Sequence, residues 1–233
     1  MSANVFNTLL FFGTVIFYLG GVFFAYRLFN VTGLYVWTAF SAIVSNIEAL
    51  KMIDMFGMEL TLGNALYATS FVVTDILSEN HGKKAANKAV NIGLFTIIIW
   101  VAATQMITLF KPNEYDFIQP SLQSLFEVVP RISLASIFTY MVSQRVDIFL
   151  YHRFWKATGN NKKFLWLRNN GSTLISQLLD SVMFTVIAFG GQYEWKYIVT
   201  LCLTTYIVKV IVALCDTPIL YLSRAFANKV KNV

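Results

Sequence analysis

Two five-residue segments carry the same polar trio at the same spacing, Ser143-Gln144-Arg145-Val146-Asp147 and Ser176-Gln177-Leu178-Leu179-Asp180. Each lies in a stretch apolar enough to enter a lipid bilayer. A carboxylate in hydrocarbon is costly unless it is paired, solvated or neutralised, so it marks a functional site by default. Two copies on consecutive spans predict two helices that present matching polar groups to one cavity. The second copy, with Asn170 and Thr173 on its stripe, reads as the deeper binding site. The first has Asp147 near the cytoplasmic end and Arg145 between its Gln and Asp, and reads as a gate or a salt-bridged hinge.

Other apolar stretches add to this set. Residues at i, i+4, i+7 and i+11 share one stripe of a helix. Tyr140, Gln144, Asp147 and Tyr151 form one such stripe, and Asn170, Thr173, Gln177 and Asp180 a second. Trp37, Ser41, Ser45 and Glu48 form a third, and Asn64, Tyr67, Phe71 and Asp75 a fourth. Thr205, Lys209 and Asp216 lie on a fifth. Singly, each residue has a structural explanation. Hydroxyl and amide side chains bond between membrane helices, aromatic rings anchor at interfaces, and Lys209 can pair with Asp216 or with a carboxylate of another helix. As a set, so many carboxylates in one small bundle exceed what packing asks for. Carboxylates accept from N–H groups, Gln and Asn both donate and accept, and rings stack on flat heterocycles. This chemistry suits a purine-like base, and equally other planar, N–H-rich metabolites. A carboxylate that changes protonation during a transport cycle would also couple uptake to protons.

The elements that must hold these residues follow from composition. The chain is 57% hydrophobic and 13% charged, about half the charge of a soluble domain. Apolar runs of roughly 20 residues recur, the length that crosses a bilayer as a helix; a barrel would show alternating ~10-residue segments. The expected fold is an all-α integral membrane bundle filling residues 1–233 as one domain. Seven spans are predicted, over about 6–25, 34–50, 60–77, 90–110, 132–151, 172–189 and 197–222. The third, interrupted by Asn64 and Asp75, can equally be a short or broken helix.

Arg27, Lys83, Lys84, Lys88, Arg153, Lys156, Lys162, Lys163, Arg168, Arg224, Lys229 and Lys231 fall in loops on one side. The other side has little beyond Lys51, Lys111 and Lys196, with Arg131 at the mouth of a span. Cytoplasmic loops hold the excess of Lys and Arg, which predicts a multi-pass cell-membrane protein with its N-terminus outside and its C-terminus inside. The net charge of +6 thus reads as topology and not as nucleic-acid binding. No basic region precedes the first apolar run, so no removable signal peptide is expected. In the external segment 112–130, Pro120 is expected to begin a short interfacial helix packed on the bundle.

Cys202 and Cys215 read as small buried hydrophobes. His81 and His152 are the only histidines and both fall in predicted loops. No metal or other cofactor is expected, nor is enzymatic activity, and no phosphate-binding Gly-Lys loop is present.

Several segments together resemble the queuosine precursor transporter family, also grouped with vitamin uptake transporters. They are Val72-Val73-Thr74-Asp75-Ile76-Leu77-Ser78-Glu79 followed by Gly82-Lys83-Lys84-Ala85-Ala86; Arg131-Ile132-Ser133-Leu134-Ala135-Ser136; Trp166-Leu167-Arg168-Asn169-Asn170-Gly171-Ser172-Thr173; the two Ser-Gln-x-x-Asp copies; Lys209; and Asp216-Thr217-Pro218. The match covers roughly residues 34–222. It implies import of deazaguanine precursors of queuosine, or of queuine, by a secondary or facilitated transporter. It further implies a six-span core (31–225) similar in layout to the substrate-binding subunits of energy-coupling-factor transporters. The extra first span (1–30), with Gly13, Gly20 and Gly21, reads as a packing or homodimer-contact helix.

By this resemblance the functional residues are Asp75, Arg131, Gln144, Asp147, Asn170, Gln177, Asp180, Lys209 and Asp216. Asp180 with Gln177 is expected to read the guanine-like edge, with Glu48 or Asp75 as a second acceptor. Asn170 and Gln144 add hydrogen bonds, and Trp37, Tyr67 and Tyr140 are stacking candidates. Arg131, Arg145, Lys209, Asp147 and Asp216 are assigned to gating or charge pairing. The resemblance implies solitary action without an ATPase partner. The alternatives are a binding subunit of an ATPase-driven uptake system, a retinal-type photoreceptor built on Lys209, and an integral-membrane enzyme.

Overall fold

The computed structural model describes residues 3–231, with the side chains of residues 3 and 228–231 outside the described residues. The apolar runs become six helices, α1 (Ala3–Glu48), α2 (Asn64–His81), α3 (Lys83–Leu109), α4 (Gln119–Thr158), α5 (Leu165–Phe189) and α6 (Trp195–Lys231). Five of them, all but α2, are long and apolar enough to cross a membrane. Their outward faces carry Leu9, Phe17, Phe95, Ile98, Leu203 and similar exposed apolar side chains, as a lipid-facing surface requires.

Helix α2 is the exception because it sits inside. It packs against α1, α3, α4 and α6, and every residue from Asn64 to Ser78 except Tyr67 is buried. A helix that meets protein on all sides can carry Thr69, Ser70, Thr74 and Asp75, since each polar group finds a neighbour and none faces hydrocarbon. Its polarity is what makes it look interrupted as a span.

Helix α1 has 46 residues, about 69 Å if straight and over twice the ~30 Å hydrocarbon thickness. It folds back on itself at Asn30, where φ is 52°; Asn is among the few residues that tolerate positive φ. Trp37 lies where a side chain at Gly21 would stand, and the Tyr18 hydroxyl donates to Glu48 at 2.6 Å. The first half therefore packs along the second, as the sequence expected of two separate spans.

Two corrections concern the segments before α2 and α4. The fold is helical as expected, but the third element does not start at residue 60: a short β-hairpin, β1 (Met52–Met55) and β2 (Met58–Thr61), precedes it, and the helix begins only at Asn64. Phe56 and Gly57 both have positive φ, 55° and 72°, the two-residue turn whose twist suits a hairpin. Met55 and Leu60 are buried and each follows an exposed acidic residue, Asp54 or Glu59, but at four residues each strand is too short to separate from a span's beginning. The hairpin covers one end of the bundle. Asn7 donates to the Asp54 carbonyl at 3.0 Å, Tyr197 to the Glu59 carboxylate at 2.9 Å and Thr204 to the Glu59 carbonyl at 3.1 Å.

The second correction is that no separate interfacial helix forms in 112–130. Pro120 does sit in the first turn of a helix, but α4 continues unbroken through Pro130 to Thr158. Proline at 130 cannot donate to the Phe126 carbonyl. Gln105 of α3 supplies the missing donor, bonding that carbonyl at 3.0 Å, so the helix survives its proline.

Candidate functional site

Helices α4 and α5 are antiparallel neighbours, and this turns the sequence repeat into a reciprocal pair. Ser143 of the first copy donates to Asp180 of the second at 2.8 Å, and Ser176 of the second donates to Asp147 of the first at 2.9 Å. Serine and aspartate stand four residues apart in each copy. Antiparallel packing therefore brings each serine opposite the other copy's aspartate, one helical turn apart. All six Ser, Gln and Asp residues of the two copies are buried.

Toward the hairpin end, Asp180 is fully committed. Oδ1 accepts from the Tyr67 hydroxyl at 2.6 Å as well as from Ser143, and Oδ2 is ion-paired with Lys209. The Lys209 ammonium also lies 5.0 Å from the centre of the Tyr67 ring, a cation–π distance. These residues wall a cavity between α1, α2, α4, α5 and α6, with Ser45, Asn46, Asn64, Ser136 and Phe184 around it. It encloses about 30 Å³, room for about two water molecules. The acceptor sites of Asp180 are taken up by Lys209, Tyr67 and Ser143.

The two glutamines differ. Gln144 Nε2 donates to Ser70 at 2.7 Å and its Oε1 accepts from Thr74 at 3.0 Å. Gln177 is equally buried, yet neither its nitrogen nor its oxygen has a partner among the described residues. A buried amide without partners is costly, and it lies between Thr173 and Asp180 on one stripe. It stands one turn from Asp180 behind the residues that line the cavity, and is not itself one of them.

Away from the hairpin, Asp75 of α2 faces Asp147, their carboxyls within hydrogen-bonding reach. Thr173 donates to Asp75 at 3.3 Å, while Asp75 Oδ1 and Asp147 Oδ2 have no donor. Asp216 accepts from Asn169 at 2.8 Å. Among the described residues no three His, Cys, Asp or Glu side chains gather as a metal site.

Beyond these lies a network that the spacing argument did not assign. Glu79, four residues after Asp75, is bound by Arg168 at 3.0 Å, by Arg224 at 2.7 Å and by the Tyr151 hydroxyl at 2.6 Å. Arg168 is fully buried, donates further to the Gly159 and Asn161 carbonyls, and lies 4.8 Å over Trp155. One carboxylate thus ties α2, α4, α5 and α6 together at the end opposite the hairpin. Glu79 and Arg168 both stand in the segments quoted for the family resemblance, and the i+4 spacing from Asp75 was the available signal.

Of the remaining expected site residues, Tyr140 meets Tyr67 edge-on at 6.2 Å and its hydroxyl has no partner. It borders a smaller void with Ser45, Asn46 and Ser70. Asn170 points toward α6, donating to Thr217 at 2.9 Å. Glu48 bonds Tyr18 within α1, and Trp37 donates to Thr69 at 2.9 Å between α1 and α2. Neither Glu48 nor Trp37 lines the cavity. Arg131 donates to the Gly190 carbonyl at 2.7 Å, not to a carboxylate. Arg145 is exposed and reaches Asn91 of α3 at 3.2 Å, on the side of the helix away from Asp147. Lys209 pairs with Asp180 rather than Asp216.

A probable queuosine precursor transporter of Bacillus subtilis (strain 168) is 35% identical over 199 residues, 85% of this chain and 86% of that protein. A probable queuosine precursor transporter of Haemophilus influenzae (strain ATCC 51907 / DSM 11121 / KW20 / Rd) is 24% identical over 147 residues, 63% of this chain and 59% of that protein. No solved structure matches the chain. The model of the putative vitamin uptake transporter family matches residues 61–223, from the last residue of the hairpin into α6, and the chain belongs to that family.

Proposed function

We propose that this protein imports a 7-deazaguanine precursor of queuosine, or queuine, across the cell membrane as a secondary or facilitated carrier. The observation that carries the reading is Asp180, a buried carboxylate at a small cavity, held by a cation and two hydroxyls and standing one turn from the unpartnered Gln177 amide. The names of the two relatives point to the same substrate class. A carboxylate that gives up Lys209 on Oδ2 and one of the two hydroxyls on Oδ1 can accept two parallel N–H bonds from the amide-and-amine edge of a guanine-like base. Gln177, donor and acceptor at once, suits an adjoining edge of the same ring. Tyr67 and Tyr140 are the ring faces at hand.

In this reading the chain crosses the membrane seven times, twice in α1 and once in each of α2 to α6. The N-terminus and hairpin lie outside and the basic loops inside. The first half of α1 is the addition to a six-span core. The chain acts without an ATPase module. Glu79 with its two arginines then closes the cytoplasmic end, below the substrate site. Opening inward requires that network to part while Asp180 holds substrate.

The test is in cells that cannot make the precursor. Expression should restore queuosine in tRNA when deazaguanine is supplied at low concentration. Failure of well-folded protein to restore it with the 7-cyano, 7-aminomethyl and queuine forms alike would overturn the substrate class.

A further inference from the structure

The cavity beside Asp180 has a second fixed acceptor, outside every motif quoted above. Asn46 of α1 is 4% exposed and lines the cavity with Asp180 and Tyr67. Its Nδ2 donates to the Ala42 carbonyl one turn earlier, at 2.7 Å. That bond fixes the amide's orientation, because the flipped amide would set oxygen against oxygen. The outward atom is therefore Oδ1, an acceptor only, and it is buried with no donor among the described residues.

An isolated buried acceptor has a definite requirement, an N–H or O–H from whatever fills the cavity. On a 2-amino-6-oxo base, Asp180 can take the ring N–H and the nearer amine hydrogen. The second amine hydrogen then points past the carboxylate and needs another acceptor. Resting on the importer reading above, we infer that Asn46 Oδ1 receives this hydrogen, so that the pocket selects bases bearing the exocyclic amine over the same ring without it. The internal rival for Oδ1 is the Tyr140 hydroxyl, which also has no partner and borders the same side of Asn46.

The experiment measures equilibrium binding of 7-deazaguanine and 7-deazahypoxanthine to the purified full-length protein, wild type and Asn46→Leu, with Asn46→Ala as second variant. Leucine keeps the branched four-atom skeleton of asparagine, is somewhat bulkier, and accepts nothing. The ratio of the two affinities is read on one preparation, so loss of folded protein does not move it. Wild type should prefer the amine-bearing base. Either variant should weaken that base about tenfold and leave the other within about twofold, collapsing the ratio. Tyr140→Phe should leave the ratio unchanged. Equal loss for both bases makes Asn46 a packing residue and overturns the inference, as does an unchanged ratio or a Tyr140→Phe effect equal to that of Asn46→Leu. Wild type binding both bases equally overturns this inference alone, whereas wild type binding neither overturns the importer reading and this inference with it.

Discussion

The two Ser-Gln-x-x-Asp copies have the same polar side chains, share a helix pair and donate serine to each other, yet they stand in unequal surroundings. Around Asp180 a cation, a phenol and a serine satisfy both oxygens. Around Asp147 a serine and a second carboxylate leave one oxygen without a donor. The glutamines reverse the order, Gln144 held at both ends and Gln177 at neither. The repeat builds the wall, and the helices laid against it decide what each part of the wall does. Helix α6 brings Lys209 to one aspartate, and α2 brings Asp75 to the other and Ser70 and Thr74 to the nearer glutamine. A duplicated motif on antiparallel helices therefore predicts contact between its copies, not two equal sites.

The sharpest break in this comparison is Asp180→Asn. It strands a buried ammonium, and losing one partner of a buried pair costs about 3–5 kcal/mol. Thermal melting in detergent should fall by about 6–20 °C, and queuosine restoration should drop to background. Adding Lys209→Met removes the stranded charge. The double variant should recover most of the lost melting temperature without recovering transport, because the acceptor is still gone. Recovery of both would assign Asp180 to stability alone.

The glutamines give a smaller effect with opposite signatures. Gln144→Ala leaves the Ser70 and Thr74 hydroxyls without their partner and should destabilise by about 1–3 kcal/mol. Gln177→Ala breaks no bond within the protein, so its melting should stay within about 2 °C of wild type. Base affinity should nevertheless fall about tenfold. Affinity lost equally in both variants would remove the distinction between a held glutamine and a free one.

What could be read in advance follows the same division. Inward faces were legible because period-3.6 stripes on apolar helices leave few alternatives, and Tyr140, Gln144, Asp147, Tyr151, Thr173, Gln177 and Asp180 are all buried. Partners were not legible, because which stripe meets which depends on packing between helices distant in sequence. Lys209 can reach Asp216 along one helix, but its ion pair is with α5. Glu48 and Trp37 share a stripe with the cavity-lining Ser45, and a bend at Asn30 gives them neighbours in the first half of α1. The hairpin at 52–61 was hidden by its brevity and by a Phe-Gly turn in place of Asn-Gly. Glu79 is not distinguished by the stripes, because its partners Arg168 and Arg224 come from α5 and α6, far away in sequence.

The smallest expected effect bears most directly on the difference between the aspartates. Asp147→Asn converts an acceptor facing an acceptor into a donor facing an acceptor. Its amide can donate to Asp75 Oδ1 while its oxygen still accepts from Ser176. The substitution is nearly isosteric, so no cavity or overpacking term enters. One added hydrogen bond is worth about 0.5–1.5 kcal/mol, so melting should rise by about 2–4 °C, the opposite sign to Asp180→Asn. Ser176→Ala in the Asp147→Asn background should cancel about half of that gain by removing the donor on the other oxygen. A fall in melting for Asp147→Asn would mean that Asp147 is held as an ion by a charge outside this arrangement, and the two aspartates would then be alike after all.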